Sequence, residues 1–439
     1  MELEADRALV VGFAVTGRSV ASALLRRGVE VVVLDDRPDA AAKAAAAAMG
    51  VELVTDVDVA TLVAAADLVS PSPGVPIRHA AIQAALATGV PVWSEFELAA
   101  AWDERPIVAV TGTNGKTTTI TLVTSMLERA GRKVVAAGNN ELPLVDALED
   151  EAVELFVVEA SSFRLQFTER FRPVVGTWLN VTPDHLDWHP DLDHYIEAKF
   201  RLWAAQRDDD LAIANTDDDV VMAYASRAPA RRQTFGLMAG DYVTRGGDLV
   251  AASGEVIAAI AELPKRLPHD LSNALAATAT AVAAGASVGD CGAVLREFTG
   301  LPHRVQLVGD AGGVRWYDDS KATTPASVAA ALGGFASVVL IAGGKNKGLD
   351  LSGLRAATNL RAVVAIGEAA AIVAGVFDGV APVVTATSMD EAVRLASERA
   401  RPGDAVLLSP GCASQDWYRN YGERGDDFAR AVHELVGAS

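Results

Sequence analysis

One stretch constrains this chain more than any other: IVAVTGTNGKTTTI, residues 107–120, runs from apolar residues through a loop with glycines at 112 and 115 into an amphipathic helical pattern. A buried strand that turns through glycine into a helix aims backbone N–H groups and the positive helix end at one point, which suits an anion. The usual phosphate loop reads G-x-x-x-x-G-K-[ST], but five places before Gly115 stands Val110. The loop keeps the Gly-Lys-Thr half of that motif and moves its other glycine to position 112. In such a loop Lys116 reaches the β- and γ-phosphates and the Thr117 hydroxyl binds Mg²⁺.

The same alternation of strand, turn and helix extends both ways. ALVVGFAVTGRSVASALLRRGVEVVVLDD reads as a β-α-β unit, AAAKAAAAAMG as a helix stopped by Gly50, and SPSPGVP as a proline loop after a strand. LFVVEASS and VVGTWLN continue the central run. VRWYDDS, SVVLIAGG, AVVAIG and DAVLLSP form a third series after LPHRVQLV. With 439 residues and about 150 per domain, the fold expected is α/β with three domains and mainly parallel sheets, bounded at 1–95, 96–300 and 301–439.

Composition removes several classes of function. A net charge of −19 excludes non-specific binding to nucleic acid or an anionic membrane. The acidic opening MELEADRALVVGF lacks a basic signal-peptide region, and the long uncharged run 271–289 is too rich in Ala, Ser and Thr for a membrane span, so a buried helix is expected there. Two cysteines, Cys291 and Cys412, make neither a disulfide framework nor a metal-ligand pattern; both are read as packing residues of a cytoplasmic protein.

Chemistry-bearing residues cluster after the strand-like runs. GFAVTG, 12–17, has Ala14 where a dinucleotide turn has its middle glycine, but Thr16 and Gly17 at a helix start still suit a phosphate. Glu159 ends a buried strand, and His185 lies between Asp184 and Asp187, so that a carboxylate, an imidazole and a phosphate oxygen would suit a second cation; a helix cap and a surface histidine are the plain alternatives. Lys199 sits on an amphipathic helix, where solvation or an acidic partner is the default. Ser272 reads as an N-cap and Asn273 as a lesser cap candidate. DDSKATTP, AGGKNKG with Lys345 and Lys347, and SPGCAS with Ser414 and the later Tyr421 suggest one substrate-binding sheet edge.

Together these motifs resemble the Mur ligase family, ATP-dependent amide-forming enzymes of cell-wall peptide synthesis. TGTNGKTT resembles the loop shared by that family and the folylpolyglutamate synthases, and DSKAT, LPHR, GGKNKG and SPGCAS resemble its D-glutamate-adding member. The resemblance covers the whole chain. It implies a Rossmann-like N-terminal domain for a uridine diphosphate group, a central P-loop ATPase domain and a Rossmann-like C-terminal domain for the incoming amino acid. The implied substrates are ATP, UDP-N-acetylmuramoyl-L-alanine and D-glutamate, with two Mg²⁺ ions and no nucleic acid, and a monomer is expected.

By motif, the resemblance implies catalytic roles for Lys116, Glu159, His185 and Lys199, and metal contacts at Thr117, Glu159, His185 and a Lys199 carbamylated to N6-carboxylysine. ATP contacts are implied at Gly112, Thr113, Asn114, Gly115, Lys116, Thr117, Thr118, Asn273, Arg304 and Asp319, with His303 beside them. The nucleotide-sugar positions are Val15, Thr16, Asp36, Arg37, Ser72, Pro73, Gly74 and Asn139; those for D-glutamate are Lys321, Thr323, Lys347, Ser414 and Tyr421. Two departures stand out: Ala14, and Asn140-Glu141 where the family continues Ile-Gly. The alternatives are another amide ligase of the superfamily, a nicotinamide-dependent oxidoreductase using the first β-α-β unit, and a relative that has lost catalysis.

Overall fold

Every strand of the first series is parallel to its neighbours. In the computed structural model, which describes residues 5–437 apart from 56, 140, 141 and 187, β1 (Arg7–Val11), β2 (Glu30–Leu34), β3 (Glu52–Val54) and β4 (Leu68–Pro71) lie in the order β3-β2-β1-β4. Val11 is level with Leu34 and with Pro71. The loops that follow β1, β2 and β4 therefore leave from one edge of the sheet, where ligands bind in doubly wound folds. The alanine-rich helix Ala40–Met49 ends, as expected, on Gly50 at φ 69°.

The central sheet is built around β5 (Ile107–Thr111), all five residues of which are buried, as a strand covered on both faces must be. It continues through β6 (Val134–Gly138), β7 (Leu155–Glu159), β8 (Val175–Trp178), β9 (Leu211–Asn215) and β10 (Arg231–Gly236) to β11 (Tyr242–Arg245), β12 (Asp248–Val250) and β13 (Val256–Ala259), in the order β13-β12-β11-β10-β9-β8-β5-β7-β6. The helix Lys116–Arg129 buries Ile120, Val123, Met126 and Leu127 on one face beside Ala274–Ala281 of the helix Pro268–Ala283. Each large apolar side chain removed from water there contributes roughly 1.5 to 3 kcal/mol. Trp178 meets Trp203 of the helix Leu192–Ala204 on the other face, with ring centroids 5.2 Å apart.

The expectation of mainly parallel sheets holds with one antiparallel segment in the central sheet, and the helix-cap expectation changes. The central alternation is not wholly parallel: β11, β12 and β13 pair antiparallel, with the β11–β12 turn made by Gly246 and Gly247 at φ 63° and 94°. Ser272 is not an N-cap and Asn273 is not a cap, because the helix already begins at Pro268, whose ring presets φ for a first turn, while Asp270 Oδ2 accepts from Leu267 N at 3.1 Å. The run 271–289 is indeed largely buried helix, and no helix among the described residues is long and apolar enough to cross a membrane.

The third series forms a separate sheet from β14 (Gln306–Ala311), β15 (Val314–Asp318), β16 (Val338–Gly343), β17 (Leu360–Ile366), β18 (Val383–Thr385) and β19 (Ala405–Leu408), ordered β14-β15-β19-β16-β17-β18. Only the β14–β15 pair is antiparallel. Asp318 is level with Leu408, and Leu408 with Ile341, so the loops after β15, β19 and β16 share one edge. The chain divides into two compact units, Met1–Pro264 with Leu271–Phe298 and Lys265–Asp270 with Thr299–Ser439; the first two sheets belong to the former and the third to the latter.

Candidate active site

The loop after β5 needs both of its glycines. Gly115 stands at φ 87°, where a Cβ would run into the Asn273 side chain, and a Cβ on Gly112 would lie 2.9 Å from Leu179 Cβ. Asn273, expected near ATP, thus packs against the loop from the helix Pro268–Ala283. The loop's own polar groups hold it: Thr113 N donates to Asn180 O at 3.1 Å, Asn114 N to Asn180 Oδ1 at 2.9 Å, and Thr113 Oγ1 lies 3.0 Å from Tyr195 OH. Thr117 and Thr118 lie in the first helical turn beyond it. That helix has no side-chain N-cap, which suits an anion at its start.

Two lysines converge on this loop. Lys116 Nζ donates to Gly112 O at 2.8 Å and Thr113 O at 2.9 Å, and Lys199 Nζ donates to the same Gly112 oxygen at 2.9 Å. The default of a solvated or acid-paired Lys199 is overturned: it is 2% exposed, its ammonium lies 4.6 Å from the Tyr195 ring centre, and its hydrogen bond is to a carbonyl. Burial, and then the Lys116 charge, holds its pKa well below that of an ordinary lysine.

Glu159 is buried at the end of β7, beside β5. It caps no helix; its Oε1 accepts from Asn139 Nδ2 at 3.0 Å, while its buried Oε2 has no hydrogen-bond partner among the described residues. An orphaned carboxylate oxygen in a phosphate-loop environment fits a cation. His185, at φ 55°, packs edge-on to Phe163 and Tyr195, with Nε2 3.4 Å from Asp184 Oδ2. Asp187 and Asn140-Glu141 lie outside the described residues, among which no three His, Cys, Asp or Glu side chains gather as a metal cluster. Among the described residues, hydroxyl, modified lysine or phosphate oxygens would stand beside Glu159 and His185 as further ligands. Behind this loop His189 and His194 meet through their Nδ1 atoms at 2.8 Å, and burial with the His194 charge pushes His189 down to about 3.

At the edge of the first sheet, Gly12 and Gly17 do what the outer glycines of a dinucleotide turn do. Gly12 has φ 83°, and a Cβ on Gly17 would meet the Gly12 carbonyl and lie 2.7 Å from Ser72 Oγ. Ala14, by contrast, stands at φ −78° and needs no glycine. Val15 is exposed and Thr16 buried at the helix start; Ser72 Oγ donates to Gly12 O at 2.8 Å, with Pro73 and Gly74 following. Asp36 and Arg37 are exposed beyond β2, Asp36 3.3 Å from His79 Nε2. The preceding Asp35, which sequence reasoning missed, accepts from Phe13 N at 2.8 Å and braces the turn.

Arg164 was missed as well. Only 5% exposed, it donates from Nε to Glu95 Oε2 at 3.0 Å, from one terminal nitrogen to Asn139 Oδ1 at 3.1 Å and from the other to Thr16 Oγ1 at 2.9 Å. Two positions expected to meet the nucleotide sugar, one in the helix after β1 and one just after β6, are thereby joined through one guanidinium.

In the second compact unit the three expected loops do meet. Lys345 pairs with Ala413 as a short bridge, N to O at 2.9 Å and 3.1 Å, which sets GGKNKG against SPGCAS. Lys321 Nζ lies 3.9 Å from the Tyr421 ring centre. Ser414 is buried, Thr323 half-buried and Lys347 exposed. Asp319 is buried against Ser409 Oγ at 2.7 Å, and burial pushes its carboxyl up to about 7. His303 Nδ1 is 2.6 Å from Asp318 Oδ2. His303 and Val305 both have positive φ, 60° and 46°, costly for non-glycine residues and worst for a β-branched one, so the backbone around Arg304 is held in a strained form. Arg424, another residue sequence reasoning did not nominate, ties two of these loops by donating to Ser320 O, Cys412 O and Ala413 O.

This α/β architecture, with a glycine loop and paired lysines at the edge of its central sheet, matches three family models in chain order: a Mur ligase MurD-like N-terminal domain over 6–94, the Mur ligase middle domain over 110–281, and a Mur ligase glutamate ligase domain over 303–412. The chain belongs to the Mur ligase family. It is 40% identical to the UDP-N-acetylmuramoylalanine--D-glutamate ligase of Shouchella clausii, covering 100% of this chain and 99% of that one. Identity is 43% to the protein of that name from Frankia casuarinae, over 98% and 94%. The fold is shared with a pseudomurein peptide ligase type C from Methanothermus fervidus (TM-score 0.61, 16% identity, 98% and 100% covered) and with MurF from Acinetobacter baumannii (TM-score 0.60, 18% identity, 98% and 92% covered).

Proposed function

We propose that this enzyme joins D-glutamate to UDP-N-acetylmuramoyl-L-alanine with conversion of ATP to ADP and phosphate, in the cytoplasm, as a step of peptidoglycan precursor synthesis. The observation that carries the reading is the end-to-end likeness, near 40%, to ligases of that name. The domain limits at 95 and 300 belong to the same proposal, as do the roles of the individual residues.

The substrate carboxylate attacks the γ-phosphorus of ATP, the bond to the ADP oxygen breaks, and an acyl phosphate forms. The amine of D-glutamate, having lost its ammonium proton, then attacks the acyl carbon; phosphate leaves and an amide remains. No protein nucleophile is needed, and phosphoryl transfer asks mainly for positioning and charge neutralisation. Lys116 and the open helix start supply both to the phosphates. Thr117, and for a second ion Glu159, His185 and a carbamylated Lys199, would hold Mg²⁺, which when bound neutralises phosphate charge. A buried lysine held toward its neutral amine is the form that reacts with CO₂, which supports the modification. Lys321 and Lys347 provide point charges for the two carboxylates of D-glutamate, with Thr323, Ser414 and Tyr421 around them.

The test is phosphate release from Mg²⁺-ATP with UDP-N-acetylmuramoyl-L-alanine and, separately, D-glutamate, L-glutamate, L-alanine or meso-diaminopimelate, with the product weighed by mass spectrometry. Release and a matching mass gain with D-glutamate alone are expected. Release with another amino acid moves the chain to a different amide ligase of the superfamily, and release with none marks a relative without this catalysis.

A further inference from the structure

Thr16 and Asn139 are ambivalent groups, since a hydroxyl and a primary amide can each present either a donor or an acceptor to a ligand. Arg164 removes that ambivalence. A guanidinium only donates, so the hydrogen bond of 2.9 Å to Thr16 Oγ1 leaves the hydroxyl proton free to point elsewhere. The 3.1 Å bond to Asn139 fixes its oxygen on the Arg164 side, and its NH₂ then faces Glu159 Oε1 at 3.0 Å, with the second N–H bonded to no other side chain or backbone group among the described residues. The Arg164 charge is held in place by Glu95, itself 1% exposed, whose other oxygen accepts from Leu144 N at 2.6 Å. An amide turned the other way would set its oxygen against the Glu159 carboxylate, which repels it.

We propose that Arg164 is a positioning residue that presents Thr16 and Asn139 together as hydrogen-bond donors to the anionic nucleotide-sugar substrate. The inference rests on the proposed function, in which both residues face that substrate. A diphosphate and a carboxylate accept hydrogen bonds and do not donate them, so a site that sets both groups as donors in advance favours them and disfavours neutral isosteres. Arg164 itself need not touch the ligand.

Removing Arg164 alone would strand the Glu95 carboxylate in the interior, so the comparison is made in a Glu95→Gln background. Affinity for UDP-N-acetylmuramoyl-L-alanine is measured by calorimetry on the full chain without ATP, and KM is measured for each substrate. Arg164→Met in that background is expected to weaken nucleotide-sugar binding by roughly ten-fold and raise its KM alike, with the KM for ATP within about two-fold; Arg164→Lys recovers part of the loss. Once Asn139→Ala is present, Arg164→Met costs less than it does with Asn139 intact, because its effect passes through that amide. Unchanged nucleotide-sugar affinity, full additivity with Asn139→Ala, or a parallel rise in both KM values in a folded protein would overturn the assignment. If the unaltered protein itself neither binds the nucleotide sugar nor releases phosphate with D-glutamate, the proposed function falls, and this inference with it. A wild type that does both, beside an Arg164→Met variant that binds equally well, removes the inference alone.

Discussion

Lys116 and Lys199 donate to one and the same carbonyl oxygen, that of Gly112, at 2.8 and 2.9 Å. Burial disfavours the charged form of Lys199 most, and repulsion by the Lys116 ammonium at the shared acceptor adds to it. The half-buried Lys116 stays at the helix end of the loop, while Lys199 is driven toward a neutral amine.

That relationship sets a pH dependence. The unfolded chain keeps the Lys199 proton up to a pKa of 10.5, whereas the folded chain gives it up at lower pH. Between the two values the unfolded state binds more protons, so stability rises with pH through that window and is lost as pH falls toward the folded pKa. Lys199→Met should lack this slope. Urea midpoints compared from about pH 7 to pH 10 are expected to shift in favour of the wild type as pH rises. With isotope-labelled bicarbonate the wild type is expected to give a carbamate signal that the variant lacks, and the variant is expected to lose most of its phosphate release.

Asp319 gives the opposite sign. Its folded pKa is raised from 3.8 to about 7, chiefly by burial, so the folded state binds more protons between those values. Stability falls as pH rises across that window and stays lower above it. Asp319→Asn keeps an acceptor for Ser409 and removes the cost. We expect it to be more stable than wild type at pH 8 by roughly 2 to 4 kcal/mol, with no difference below the unfolded pKa. Phosphate release should drop at the same time, a stability gain with a loss of function. Denaturant unfolding at the two pH values and a steady-state assay would show both.

What was legible in the sequence follows from locality. The glycine loop at 112–115, the run of buried strands and Gly50 as a helix stop are written in neighbouring residues, and they stand where they were expected. The antiparallel β11–β13 segment had a local sign too, the glycine pair at 246–247. Lys199 and Arg164 had none. On an amphipathic helix a lysine looks solvated, and the burial of Lys199 depends on Gly112, 87 positions away. Arg164 in SSFRLQ reads as a surface arginine until Glu95 and Thr16, 69 and 148 positions earlier, close around it. Nothing in a window of ten residues carries that information.

Ala14 departs from the dinucleotide pattern without harm to the backbone. It is an exposed N-cap residue at φ −78°, and Gly12 and Gly17 already provide the turn and the close helix approach. Glycine is the better N-cap of the two, so Ala14→Gly is expected to raise stability slightly, by about 0.5 kcal/mol, and to leave nucleotide-sugar affinity within about two-fold. A large gain in affinity would mean that the Ala14 methyl holds the ligand off the backbone. Thermal unfolding and calorimetric titration of this one variant separate the outcomes.

Arg424 makes the last prediction. Its guanidinium is 1% exposed and donates to Ser320 Oγ at 2.9 Å, Ser320 O at 2.8 Å and the Cys412 and Ala413 carbonyls at 3.2 Å, so one planar fork holds the DSKAT loop to the SPGCAS loop. Burial lowers its pKa to about 10, which leaves it charged at neutral pH with uncharged oxygens as its nearest partners. A lysine carries the charge but cannot span both loops from a single nitrogen, and it leaves carbonyls that Arg424 had satisfied without that donor. Arg424→Lys is therefore expected to lose roughly 2 to 4 kcal/mol of stability. In the protein that remains folded, KM for D-glutamate should rise several-fold more than KM for the nucleotide sugar, because Lys321 and Ser414 flank the two tied segments. Equal changes in both KM values would make Arg424 a general support of the fold, with no particular hold on the amino-acid loops.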